Sequence, residues 1–196
     1  MTHWRARGDH GQAFPIYITV VAGLLFLALA YLAVGQAAVN RSGAQTAADA
    51  AALAAAQNRR DLLAGEWLKN LADPATWSAI FAGDVDVASS CWRAEQLASE
   101  NDAQVQQCDG SQPLRFLVEV RTNKPVGDSV VPGVSDIRST QSATAVIEPR
   151  CDPPAEEAEA SPLPVLMCDG KEWKVDPDDD TDRPRPEDLF DVHLAD

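Results

Sequence analysis

Residues 14–34 read FPIYITVVAGLLFLALAYLAV, twenty-one residues without a charge. As an α-helix this stretch is about 31 Å long, close to the ~30 Å hydrocarbon thickness of a bilayer. It passes directly into GQAAVNRSGAQTAADAAALAAAQ, residues 35–57, with no helix-breaking residue between. The composition therefore predicts one long helix from Gly11 to about Leu71, half of it spanning a membrane and half projecting from it. A soluble enzyme is a poor fit to that pattern. Arg5 and Arg7 precede the apolar run, whereas Arg41 is the one cation in the twenty residues after it. That bias favours a cytoplasmic N-terminus and an extracytoplasmic C-terminal domain in a single-pass cell-membrane protein. Pro15 sits at the start of the helix, where its missing N–H costs little. A cleaved secretory signal is the competing reading, but its apolar core is usually shorter, at ~7–15 residues.

The division that follows is a leader at 1–13, a transmembrane helix at 14–34, an Ala-rich helical extension at 35–72, an exported head at 73–150 and an acidic, Pro-rich C-terminal region at 151–196. The fold class expected is α+β: the long N-terminal transmembrane helix and its extension, then a small pilin-like head with a mainly antiparallel sheet. A head of this size has a modest core and needs added support. Cys91, Cys108, Cys151 and Cys168 all lie in the exported part, and an even count in an oxidising compartment favours two disulfides. Three pairings are open. The local ones, Cys91 with Cys108 and Cys151 with Cys168, each close seventeen residues and are the expected set. Zinc is a weaker reading, because there is no C-x-x-C and no His nearby.

Nine of the thirteen residues from Ala44 to Ala56 are alanine, the best helix former. Such a surface has little to bury and permits close approach by another helix. Gly35, Ala44, Ala47, Ala48, Ala51 and Ala55 are the expected packing positions, facing a neighbouring subunit. Gly23 extends the small surface further into the membrane part. Arg41, Gln45 and Asp49 recur every fourth residue as a polar stripe.

Beyond the Asp73-Pro74 break, Trp77, Ile80 and Phe81 form a short helical core segment closed by Gly83. Ser90 is placed to cap a second helix, 91–101, with Trp92, Ala94, Leu97 and Ala98 expected inside. Strand signals follow. Residues 103–108 lead into an Asp109-Gly110 turn. Leu114, Phe116, Val118 and Val120 alternate with Arg115, Leu117, Glu119 and Arg121, and Ala143, Ala145 and Ile147 alternate in 139–148. Between them, 123–133 is a Pro/Gly loop. Residues 151–163 are a Pro- and Glu-rich excursion. A second hairpin turns at Asp169-Gly170, and Phe190, Val192 and Leu194 mark a closing strand.

The formal charge is −14, and fifteen of the thirty acidic residues lie from Cys151 to Asp196. Such a surface argues against nucleic acid and anionic lipid as partners. No P-loop, nucleophile elbow, zinc-protease helix or dinucleotide fingerprint occurs, and His3, His10 and His193 are too scattered for a hydrolytic site. The chain reads as non-enzymatic, with no cofactor and no small-molecule substrate. Asp176, Asp178, Asp180, Asp182 and Glu187 echo the spacing of a calcium loop. Thr181 stands where that loop needs Gly, and three prolines restrict the backbone, so an acidic linker is the plainer reading. An alternative function, a tethered extracellular binding module, would use this acidic region for calcium or a basic partner.

The stretch from Arg7 to Gln57, ending in Ala48-Asp49-Ala50-Ala51-Ala52-Leu53-Ala54-Ala55-Ala56, resembles the N-terminal domain of the Flp pilus-assembly TadE/TadG-like family. The segment CWRAEQLASENDAQVQQC followed by a strand is also similar to high-GC bacterial members. The resemblance implies a pilin-related membrane component of a Tad-type pilus or secretion system, whose partners are the bilayer and other Tad-type subunits met through the N-terminal helix. Pilin-like members are cut after a Gly ahead of the apolar run, here Gly11, leaving Gln12 first. The fifth residue would then be Ile16 rather than the Glu of cleaved pilins, so an uncleaved, anchored form is the expectation.

Overall fold

The apolar run and the alanine tract are one element. In the computed structural model, which describes residues 13–125, 136–152, 163–179 and 181–195, helix α1 runs unbroken over Ala13–Lys69, 57 residues. Uninterrupted i to i−4 hydrogen bonding needs no Gly or Pro past the first turn that cannot be tolerated, and Gly23, Gly35, Gly43 and Gly65 each face open space among the described residues. A 3₁₀ turn at Pro74–Thr76 and the short α2, Trp77–Phe81, reverse the chain. Gly83 ends α2 at φ +74°, and a side chain there would come within 2.8 Å of Pro113 Cβ, so both conformation and space require glycine.

Helix α3, Cys91–Glu100, precedes three antiparallel strands: β1 Ala103–Asp109, β2 Arg115–Thr122 and β3 Thr140–Pro149. The last strand, β7 Phe190–Leu194, pairs with the far half of β3, giving the order β1-β2-β3-β7. Between β3 and β7 lie a small sheet, β4 Cys151–Asp152, β5 Leu166–Cys168 and β6 Lys171–Trp173, and the single-turn helix α4, Pro186–Leu189. The fold is thus α+β, a long apolar N-terminal helix followed by a small domain with an antiparallel sheet. Inward positions alternate as the period-2 pattern requires: Phe116, Val118, Val120 and Thr122 on β2, and Ala143, Ala145 and Ile147 on β3.

One core joins the elements of the head. Leu63, Trp67 and Leu71 from α1 meet Trp77, Ile80 and Phe81, and Leu166, Val175, Leu189 and Phe190 from the acidic third belong to the same cluster. Trp67 and Trp77 meet edge to face at 5.5 Å, and Phe81 packs on Phe190 at 5.3 Å. The C-terminal region is therefore built into the head. Arg150 ties its parts together: its Nε donates to Asp169 Oδ2 at 2.6 Å and its Nη1 to the Glu187 carbonyl at 3.0 Å. Cys91 is bonded to Cys108, fixing the start of α3 to β1, and Cys151 to Cys168, its register partner across β4 and β5.

Three local expectations are corrected. Trp92 is exposed, while Ala94 and Ala98 are buried. At 100° per residue Trp92 lies nearly opposite the Ala94–Ala98 face, so apolarity misplaced it where angle does not. It lies instead beside the Arg93 guanidinium, 5.4 Å from the ring centre. Ser90 occupies the N-cap position, but its side chain makes no capping bond, and its buried hydroxyl has no partner among the described residues. The two Asp-Gly pairs also differ. Asp169-Gly170 is a two-residue turn, with Cys168 opposite Lys171 and both turn residues at positive φ. Asp109-Gly110 opens a wider loop, because Pro113 has no N–H for the ladder and β2 begins only at Arg115. There Asp109 Oδ1 accepts from the Ser111 N–H at 2.9 Å.

Candidate membrane and assembly surface

Helix α1 has two halves with opposite surroundings. Its most apolar eighteen-residue window has a mean hydropathy of 2.4, and none of that window is buried. Phe14, Ile16, Tyr17, Leu24, Leu25, Phe26, Leu27 and Leu32 are all exposed. The helix is long and apolar enough to cross a membrane, and apolar side chains on every side of a bare helix are the arrangement that hydrocarbon solvates.

The other half is enclosed. Ala44, Ala47, Ala48, Ala51, Ala52, Ala55 and Ala56 have no exposed surface, and Ala54 has 6%. On a helical projection these positions cover an arc of roughly 200°. The sheet strands β2, β3 and β7 lie against α1, and so does α3. Alanine makes this possible, since a helix without long side chains can sit close to a sheet and a second helix at once. This corrects the expectation for Ala44, Ala47, Ala48, Ala51 and Ala55. The surface read as open to a neighbouring subunit is covered by the chain's own head. The polar stripe behaves differently: Arg41 is exposed, whereas Gln45 and Asp49 are half-buried, and Gln45 Nε2 donates to Asp49 Oδ1 at 2.7 Å.

The halves join at Asn40. Its Nδ2 donates to the carbonyls of Lys124 at 3.1 Å and Pro125 at 3.3 Å, and the Thr122 hydroxyl, which donates to the Lys124 carbonyl at 3.0 Å, lies 3.4 Å from its Oδ1. Thr122, almost fully buried, accepts in turn from the Ser139 N–H at 3.2 Å. This network fastens the ends of β2 and β3 to the helix at the level where burial begins. Sequence reasoning does not single out Asn40, the first of the polar run Asn40-Arg41-Ser42, although its position at the apolar boundary is a usable signal. Just below it Gly35 remains outside the head. It lies in a notch of about 560 Å³ lined by Tyr31, Leu32, Gln36, Val39, Asn40, Lys124 and Pro125.

The described residues of the acidic loop are drawn into other contacts. Among the described residues no three acidic or His/Cys side chains gather to hold a metal. The Asp176 carboxylate accepts from the Asp178 N–H at 2.9 Å, and Asp179, not one of the expected ligands, accepts from Thr181 Oγ1 at 2.6 Å. The Arg183 guanidinium takes the carbonyls of Pro177 at 2.8 Å and Asp179 at 3.1 Å, setting a positive charge against the loop backbone. The Glu187 carbonyl goes to Arg150, and Asp182 joins no cluster. Asp180, like the Gly11 and Gln12 cleavage candidates, the 1–13 leader apart from Ala13, and most of the 123–133 and 151–163 segments, lies outside the described residues.

Residues 11–58 match the family Tad, described as "Putative Flp pilus-assembly TadE/G-like". The match covers the apolar half of α1, Asn40 and the alanine tract, and stops before the rest of the head. No curated protein and no solved structure matches the chain.

Proposed function

We propose that this chain is a membrane-anchored structural component of a Tad/Flp-type pilus or secretion assembly. The observation that carries the proposal is the division of a single 57-residue helix into a bare apolar half and an enclosed alanine half. The family match spans that division. The anchor is Phe14–Val34, with the N-terminus cytoplasmic on the balance of Arg5 and Arg7 against Arg41. The head stands on the extracytoplasmic side, in keeping with its two disulfides. The role is non-enzymatic, and the chain stays uncleaved at Gly11–Gln12.

Contact with other Tad-type subunits belongs to the membrane half, since the head occupies the alanines above. Gly23, Ala30 and Ala37 recur every seventh residue on the line that Ala44 and Ala51 continue beneath the head. A seven-residue repeat of small residues drifts only ~20° per repeat on a straight helix, so these positions form one groove for a neighbouring helix. Replacing Gly23 and Ala30 together with leucine tests the proposal. Assembly into a pilus or secretion complex should fall, while carbonate-resistant membrane association and head melting stay unchanged. Undiminished assembly, or recovery of the intact chain in the soluble fraction, would refute it.

A further inference from the structure

The notch around Gly35 lies about 120–160° around the helix from the Gly23–Ala30–Ala37 line, so helix packing leaves it free. We infer that it holds one glycerophospholipid with an ammonium-bearing head, of the phosphatidylethanolamine class. The inference rests on the reading of Phe14–Val34 as the membrane span. Asn40 then stands six residues, about 9 Å, above the hydrocarbon edge, and the notch falls in the headgroup layer.

The shape of the notch comes from Gly35: a Cβ there would meet no described atom within 4 Å, and the apolar walls are Tyr31, Leu32 and Val39. An acyl chain would lie along that wall. The rim supplies the recognition. Lys124 lines it, and its Nζ is 2.8 Å from Asp102 Oδ2, with both groups mostly exposed. Asp102 is held in place at the turn from α3 to β1, where its carbonyl accepts from the Asn123 N–H at 2.7 Å. One N–H of the ammonium is used by Asp102, and two remain for a lipid phosphate. The carboxylate retains acceptor capacity for an ammonium carried on the same lipid. A purely anionic head would bring its charge to Lys124, whose own charge Asp102 already balances, and would offer no second cation to the carboxylate. A choline head would bring a cation without an N–H to donate. A zwitterion with a primary ammonium matches both members of the pair.

The test uses the full chain reconstituted in bilayers of equal phosphatidylethanolamine, phosphatidylglycerol and phosphatidylcholine, released into mild detergent and weighed by native mass spectrometry. The wild type should retain one lipid, phosphatidylethanolamine over either competitor by threefold or more. Gly35→Leu should abolish retention without changing head melting, because the new side chain enters open space. Asp102→Asn should shift the preference to phosphatidylglycerol, the lipid suited to an unopposed Lys124. Equal retention of all three lipids, preference for phosphatidylglycerol in the wild type, or full retention by Gly35→Leu would overturn the inference alone. Extraction of the chain from the bilayer by carbonate would overturn the membrane-span reading, and the inference with it.

Discussion

Replacing Ala51 with leucine probes the close approach of α1 to the head. Ala51 has no exposed surface and lies in the middle of the arc closed by the sheet and α3. A leucine there adds three carbons where both neighbours are already in contact. Neither can move alone, because the sheet is stapled to α1 at Asn40 and α3 is bonded to β1 through Cys91 and Cys108. Overpacking of this kind costs about 1–3 kcal/mol. For a head of this size that corresponds to a melting shift of about 3–12 °C. The assay is thermal unfolding of the detergent-solubilised chain, followed through the emission of Trp67 and Trp77, which are buried against each other. Ala50→Leu is the control: Ala50 lies just outside the arc and is half-buried, and its substitution should move the transition by much less. If Ala51→Leu melts with Ala50→Leu, the alanine tract is not holding the head close, and the account of the enclosed half fails.

Each disulfide closes a seventeen-residue separation, so converting either pair to serine should cost about 3 kcal/mol in urea titrations. A loss below about 1 kcal/mol for both pairs would refute a bracing role. The Asp179 carboxyl is held below its ordinary range by the Thr181 hydroxyl first and the Thr181 N–H second. A carboxylate lowered in the folded state contributes stability that is present above its unfolded pKa and is lost as pH falls through the lowered value. In an NMR titration its carboxyl carbon should therefore titrate on the acid side of ordinary aspartates, and Thr181→Val should move it back upward. An Asp179 titration unchanged by Thr181→Val would remove the assigned cause.

The particular residues divide cleanly between what was legible in the chain and what was not. Length and apolarity made the helix over 14–34 and its continuation readable, since a run that matches the bilayer needs no tertiary partner to justify it. Period-2 alternation located β2 and β3, where Phe116, Val118, Ala145 and Ile147 face inward, because a strand's geometry alone sorts its two faces. Trp92 was misread, since a ten-residue helix with apolar residues on two sides does not declare which side is covered. The calcium spacing at Asp176–Glu187 was readable only as spacing. Where the backbone carbonyls of that segment go is set by Arg183 and Arg150, which reach them only in the folded chain.

Local composition thus fixed the elements: an apolar helix, an alanine helix, alternating strands and cysteines seventeen apart. It could not assign a partner to the alanines, because a surface of methyl groups is equally suited to a neighbour's helix or to the chain's own sheet. That choice depends on β2, β3, β7 and α3 converging on Ala44–Ala56 from residues 91–194. Contacts so distant in sequence leave no periodic trace in the helix that receives them. The same convergence sets Lys124, paired with Asp102, at the rim of the notch around Gly35, a juxtaposition that none of these segments encodes alone.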